Sequence, residues 1–416
     1  MNKFLSKWLT ISFLNLLLVA ALGFILRYKI AFYLPFVEQK HLLHSHSHFA
    51  FSGWVTQTLM VLLIQYLINT KGETHIKKYR WLLYANLITA YGMLISFIIQ
   101  GYAFVSISFS TLSIFVSFFF AVYYWKDLNR INQKKVSHLW FKAALVFSVI
   151  SSIGAFSLAY LMGNKISDQN WYLASIYFFL HFQYNGWFLF AGMGLLVTKM
   201  EKAIITDRSL YYAFILFCFA CIPAYFLSVL WMHFSNITLA VIMAAVMAQL
   251  AGWGLMIKVF TRNNAFISQQ FTKPGRILLF LAGLAFSIKL LLQTGSIHPE
   301  LSQLSYGFRP IIIGYLHLVL LAVTSIFIIG YILSFELIPV TKKLITGVFV
   351  FVAGIIINEL LLLIQSVAAL SYTAIPFINV SLLIAAFILA LGAGLMLYNS
   401  LKPLPDDSFA VTKTGL

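Results

Sequence analysis

Long apolar segments recur along the whole chain, and they constrain the fold more than any other feature of the sequence. A helix needs about 20 mostly apolar residues to cross the hydrocarbon core of a bilayer. Segments of that length cover residues 8–28, 47–69, 80–103, 105–125, 140–162, 171–197, 209–232, 237–260, 275–295, 308–334, 344–366 and 378–399. The sequence therefore predicts an all-α polytopic membrane protein, with about twelve transmembrane helices in one membrane domain, 1–416.

The charged residues support this prediction and orient the chain. Only 9% of the 416 residues are charged, whereas soluble domains carry about 25%, so a water-soluble enzyme is excluded. With the N-terminus inside, 22 of the 28 Lys and Arg residues fall in inner segments, 5 in outer segments and Lys289 within a span. This bias predicts an N-in/C-in topology. It also attributes the net charge of +17 to topology and anionic lipid, not to a nucleic-acid partner.

Three histidines recur in the second, sixth and tenth spans: His48, His181 and His317. They are separated by 133 and 136 residues, which is four spans each time. His48 begins His-Phe-Ala-Phe-Ser-Gly-Trp and His181 begins His-Phe-Gln-Tyr-Asn-Gly-Trp, whereas the third copy keeps a small residue but lacks Trp. The spacing predicts three four-helix repeats, roughly 1–133, 134–264 and 265–416, with the histidines in the outer third of the membrane.

A histidine-rich segment, His41-Leu-Leu-His44-Ser-His46-Ser-His48, leads into the second span. On a helix, His44 and His48 have the i,i+4 spacing of metal ligands, whereas His46 faces away by about 200°. His48 is the preferred buried ligand because it aligns with His181, and His46 is its competitor. Histidines at one depth in a membrane favour ligation of a metal or haem. Hydrogen bonds between helices are the alternative.

Three further side chains are candidates for the same layer. Lys289 lies in the ninth span and Glu359 in the eleventh, each near the outer end, so they are expected to meet as an ion pair or as a proton relay. His233, at the outer end of the seventh span, is a further candidate metal ligand.

Twelve spans in three four-helix units, with outer histidines on helices two, six and ten, resemble the catalytic subunit of the haem-copper oxidases. This family includes the cytochrome c and quinol oxidases and the nitric oxide reductases. The resemblance implies that His48 and His317 bind a low-spin haem between helices two and ten, and that His181 and His233 bind copper. It is the resemblance of a divergent member without the full set of haem and copper ligands, since helix ten has one histidine, in Tyr315-Leu-His317.

The function implied by the resemblance is electron transfer or the chemistry of a small gas, O2 or NO, by a haem-binding protein of the bacterial inner membrane. Cytochrome c or a quinol would donate electrons, and additional membrane subunits are expected. A hypothesis from another class is a membrane transporter or sensor for copper or another soft metal, loaded through the His41–His48 cluster. A third is a scaffold whose histidines only bridge helices.

Overall fold

The computed structural model describes residues 3–72, 76–133, 135–201, 208–232, 234–298, 301 and 308–401. Its long helices are numbered in chain order. They are α1 (Lys3–Ala31), α2 (Gln39–Lys71), α3 (Ile76–Gln100), α4 (Phe104–Asn129), α5 (Val136–Gly163), α6 (Gln169–Met200), α7 (Ser209–Met232), α8 (Asn236–Arg262), α9 (Lys273–Gly295), α10 (Arg309–Ser334), α11 (Lys342–Leu370) and α12 (Ile378–Ser400). A short helix, Asn264–Gln270, connects α8 to α9.

Eleven of these helices are long and apolar enough to cross a membrane, which confirms the prediction of an all-α, multi-pass membrane protein. The other one, α6, covers the predicted span 171–197 and is continuous from Gln169 to Met200. Its middle carries His181, Gln183 and Asn185, whose polar side chains lower its mean hydropathy. His181 and Asn185 are buried in the protein, so the lipid does not have to accommodate them.

The second helix begins earlier than the apolar pattern predicts. It starts at Gln39 and not near residue 47, and Glu38 precedes it with an extended backbone conformation. The histidine-rich segment is therefore part of α2 itself. Apolarity marks only helix surfaces that face lipid or core, and here α1 and α3 pack on both sides of a polar helix end.

The histidine-bearing helices α2, α6 and α10 meet in the middle of the protein, and the other helices surround them. Of the eleven apolar spans, α2 has the largest buried share, 89% of its most apolar window. Around this centre, α1 packs on α12, α3 on α2 and α4, α5 on α6, α9 on α10, and α11 on α12. Side chains in the middle of α2, α6 and α10, such as Trp54, Trp187 and Ser325, are thus buried inside the bundle.

Each central helix changes from α to π turns just after its histidine. The π segments are Ala50–Thr56, Phe182–Phe188 and Leu318–Ser325. Such turns occur in well under 1% of residues and are frequent at functional sites. A π turn leaves backbone carbonyl groups without their usual partners in the helix. In α2, the Nδ2 of Asn86 donates to one of them, the carbonyl oxygen of Ser52, at 3.1 Å.

Two indole groups join the central helices inside these segments. The Nε1 of Trp54 donates to the Oγ of Ser325 on α10 at 2.9 Å, and the Nε1 of Trp187 donates to the Oγ1 of Thr56 on α2 at 3.2 Å. Both indoles are almost fully buried. These bonds fix the register of α2 against α6 and α10, and with it the relative heights of the histidines.

Candidate functional site

His46 projects from α2 towards α1. Its Nδ1 donates a hydrogen bond to the carbonyl oxygen of Val19 at 3.1 Å. The Cε1 of the ring lies only 3.2 Å from the position that a Cβ on Gly23 would take, so the glycine makes room for the ring. Because Nδ1 carries the proton, Nε2 keeps a free lone pair. A histidine held to a backbone carbonyl in this way is typical of a metal ligand.

His317 on α10 has the same arrangement. Its Nδ1 donates to the carbonyl oxygen of Ile313 at 2.8 Å, which again leaves the lone pair on Nε2. The ring lies close enough to His46 to interact with it electrostatically. Within Arg309–His317 no residue is buried, although α10 is a central helix. Other helices therefore cover the N-terminal part of α10, up to His317, only in part.

His48 points in another direction, towards α3. Its ring stacks on Phe97 with a centroid distance of 4.4 Å, and its Nε2 lies 2.8 Å from the hydroxyl oxygen of Tyr102. Burial raises the pKa of Tyr102 to about 12, so the phenol stays protonated and can donate to His48. His48 thus lies on the α3 side of α2, whereas His46 is the histidine of α2 that interacts electrostatically with His317. A shift of two residues along a helix turns a side chain by about 200°, which accounts for the difference.

Two guanidinium groups lie near the paired histidines. Arg27 on α1, one turn beyond Gly23, interacts electrostatically with His46 and with Arg309 at the start of α10. In the described ranges the ion pairs involve Asp127 only, so neither arginine has a carboxylate partner there. The two charges repel each other and favour a bound anion, which guanidinium groups can hold through paired hydrogen bonds. Both residues are outer basic residues in the sequence, but no motif predicts that they meet.

His181 is fully buried and both of its ring nitrogens are occupied. Its Nε2 donates to the carbonyl oxygen of Cys221 at 2.8 Å, and its Nδ1 accepts from the Nδ2 of Asn185 at 3.1 Å. The carbonyl group is available because α7 changes to a 3-10 helix after Cys221, and the amide of Tyr225 bonds to Ile222 instead. Ligation of copper by His181 would require one of these bonds to break. His233 lies outside the described residues.

The remaining candidates do not converge on one metal site. His44 packs edge-on against Tyr102, and His41 lies against Gly101, on the α3 side of α2. Among the described residues, no group of three His, Cys, Asp or Glu side chains could hold a metal ion.

Lys289 and Glu359 do not form the expected ion pair. Lys289 is 2% exposed and lies near His181 and Cys221, whereas the Oε1 of Glu359 accepts from the Nδ2 of Asn358 at 3.2 Å. Both helices contact α10, but α11 packs mainly on α12. Similar depth alone does not bring two side chains together.

Comparison with known proteins adds no family. No model of a protein family matches the chain, and no curated protein matches it significantly. The resemblance to the haem-copper oxidases thus rests on the order of the spans and the spacing of the histidines.

Proposed function

We propose that the protein binds one haem between α2 and α10, with His46 and His317 as the axial ligands, and that it functions in electron transfer. The carrying observation is the pair of imidazoles that both donate Nδ1–H to a backbone carbonyl, while neither Nε2 has a hydrogen-bond partner among the described residues. Bound haem would supply a one-electron redox couple. Electron transfer is favoured over binding of O2 or NO, because a haem held by both imidazoles would have no ligand position left for a gas.

The charges near these histidines also fit a haem. Its two propionates are the anions that the Arg27 and Arg309 guanidinium groups lack among the described residues. The segment Arg309–His317 contains no buried residue, so other helices do not fully cover it. In the proposed N-in/C-in orientation this site is in the outer half of the membrane, and cytochrome c or a quinol would donate electrons from there.

The proposal includes the threefold repeat, 1–133, 134–264 and 265–416. Its support is the placement of the π segments one or two residues after His48, His181 and His317. The proposal does not extend to copper, since hydrogen bonds occupy both nitrogens of His181.

Oxidised and reduced visible spectra of the purified protein test the haem. We expect a Soret band that is lost in His46→Ala and in His317→Ala. His48→Ala is the matched control, because it removes an imidazole from the other face of α2, and it should keep the band. The absence of haem from the wild-type protein, in spectra and in a pyridine haemochrome assay, would refute the proposal. Loss of haem in His48→Ala with retention in His46→Ala would restore the ligand pair expected from the sequence.

The arginine pair has a test of its own. Arg27→Gln combined with Arg309→Gln should lower haem occupancy and shift the redox potential, because the charges that face the propionates are removed. Lys29→Gln combined with Lys40→Gln removes the same charge from the outer side, away from this pair, and should change neither. Equal effects of the two double variants would mean that only the overall outer charge matters.

A further inference from the structure

A groove of about 860 Å³ lies between α8 and α9. Its walls are mostly apolar, with Trp253 and Phe260 on the α8 side. Ile277, Phe280 and Leu284 of α9 also line it, and they are exposed on the surface of the protein. The groove therefore opens sideways to the lipid tails.

One end of the groove is positively charged. Lys273 and Arg276, at the start of α9, line it there. Neither forms an ion pair within the described part of the chain, and the Nε of Arg276 is buried without a hydrogen-bond partner. Residues 208–299 contain no Asp or Glu at all. The α8–α9 hairpin thus has no carboxylate of its own to neutralise these cations.

The length of the groove matches a lipid tail that enters from one leaflet. Lys273 and Ser287, both lining residues, are fourteen positions apart, or about 21 Å at a rise of about 1.5 Å per residue. Half of the hydrocarbon core is about 15 Å. The groove therefore extends from the headgroup level past the middle of the membrane. There the Nε1 of Trp253 donates to the Oγ of Ser287 at 2.8 Å.

The floor of the groove coincides with a departure from the repeat. Six residues after the histidine, α2 and α6 carry Trp54 and Trp187, whereas α10 carries Val323, which lines the groove. Leu189 of α6 lines it too. A smaller side chain at this position leaves the space that an indole fills in the other two units.

We propose that this groove binds an anionic phospholipid, with an acyl chain between α8 and α9 and its phosphate at Lys273 and Arg276. In the predicted topology the lipid comes from the cytoplasmic leaflet. A quinol fits less well, because its headgroup carries no charge. The rim is also far from His317: the Oγ1 of Thr272, next to Lys273, bonds to the carbonyl oxygen of Leu333, about 24 Å along α10 from His317. The lipid site does not depend on the haem.

Native mass spectrometry of the full-length protein in detergent tests the headgroup. Phosphatidylglycerol and phosphatidylcholine with the same acyl chains are the probes, and the wild-type protein should prefer the first. Lys273→Gln with Arg276→Gln should weaken phosphatidylglycerol binding about thirty-fold, from about a fivefold effect per basic residue at a membrane surface. Lys258→Gln with Arg262→Gln, on α8 and outside the groove lining, is the matched control and should leave the preference unchanged.

A second pair of variants tests the tail. A Cβ at Gly283 would lie 3.7 Å from the Trp253 ring, an ordinary contact, and a longer side chain would extend into the groove. Leucine also favours the helix more than glycine does. Gly283→Leu should weaken phosphatidylglycerol binding at least about tenfold, since the acyl chain loses its apolar contacts. Gly254→Leu makes the same change on α8 where no atom lies within 4 Å, and should have no effect.

Four results would overturn the proposal. One is equal binding of the two lipids by the wild-type protein. Another is an equal loss of phosphatidylglycerol in the two charge variants, which would indicate general surface attraction. The third is unchanged lipid affinity in a Gly283→Leu variant that keeps the wild-type melting temperature. The fourth is recovery of a quinone from the wild-type protein that Gly283→Leu displaces.

Discussion

The substitution His181→Ala separates a structural histidine from a copper ligand. The imidazole is 0% exposed, and it bridges Cys221 of α7 and Asn185 of α6 through hydrogen bonds of 2.8 and 3.1 Å. Alanine would leave a buried carbonyl oxygen and a buried amide without partners. It would also leave the volume of the ring unfilled.

The loss of stability follows from these contacts. Hydrogen bonds between membrane helices contribute about 0.6 kcal/mol on average and up to about 1.7 kcal/mol, so the two bonds account for about 1–3 kcal/mol. The cavity left by a large-to-small change in a packed core adds to this. We therefore expect the free energy of unfolding to fall by at least about 2 kcal/mol.

Unfolding in detergent micelles measures this change, and the haem spectrum and metal content are recorded on the same samples. His48→Ala is the control, because that ring is only partly buried and has one hydrogen bond, to Tyr102. Its destabilisation should be smaller. A double-mutant cycle with Asn185→Ala should give a coupling energy of about 0.6 kcal/mol. Unchanged stability of His181→Ala together with loss of bound copper would refute the structural role.

Trp54→Phe should destabilise the protein by about 1 kcal/mol, and a double-mutant cycle with Ser325→Ala should show that the loss is shared. Val323→Trp with Leu189→Thr should recreate the missing third indole–hydroxyl contact; favourable coupling between the two changes supports the repeat, and its absence contradicts it. Burial raises the pKa of Glu201 above its usual value of 4.5. The carboxyl group therefore contributes most stability below about pH 4.5 and less as pH rises through the raised pKa, and unfolding of Glu201→Gln across this range should lack that decline.

The fold is largely predictable because the membrane imposes a simple rule. Buried backbone groups must be paired within each span, so long apolar segments read directly as helices. The rule weakens where a helix is shielded from lipid. This is why α2 extends beyond its apolar core to Gln39, and why α6 is too polar to count as a span although it is continuous.

The candidate site is less predictable because sequence fixes positions but not neighbours. Alignment of the repeats selects His48, and the π segments do follow the aligned histidines. Which face of α2 meets α10 depends on packing, and packing turns His46 towards His317. The meeting of Arg27 with Arg309, and the separation of Lys289 from Glu359, have the same cause.

The helices α2, α6 and α10 share one backbone pattern, a π segment just after a histidine, but the surroundings of their histidines differ. On α6, both ring nitrogens of His181 are occupied by hydrogen bonds, one to its own helix and one to α7. On α10, Arg309–His317 contains no buried residue, whereas almost every residue of Ile326–Ser334 is buried. The N-terminal part of α10 is therefore loosely packed, whereas its C-terminal part is firmly packed. A cofactor would gain most contact beside the loosely packed N-terminal part. The rigid C-terminal part would hold the histidine that binds it in position. This difference between α6 and α10 supports the proposed haem site at His317 and not at His181.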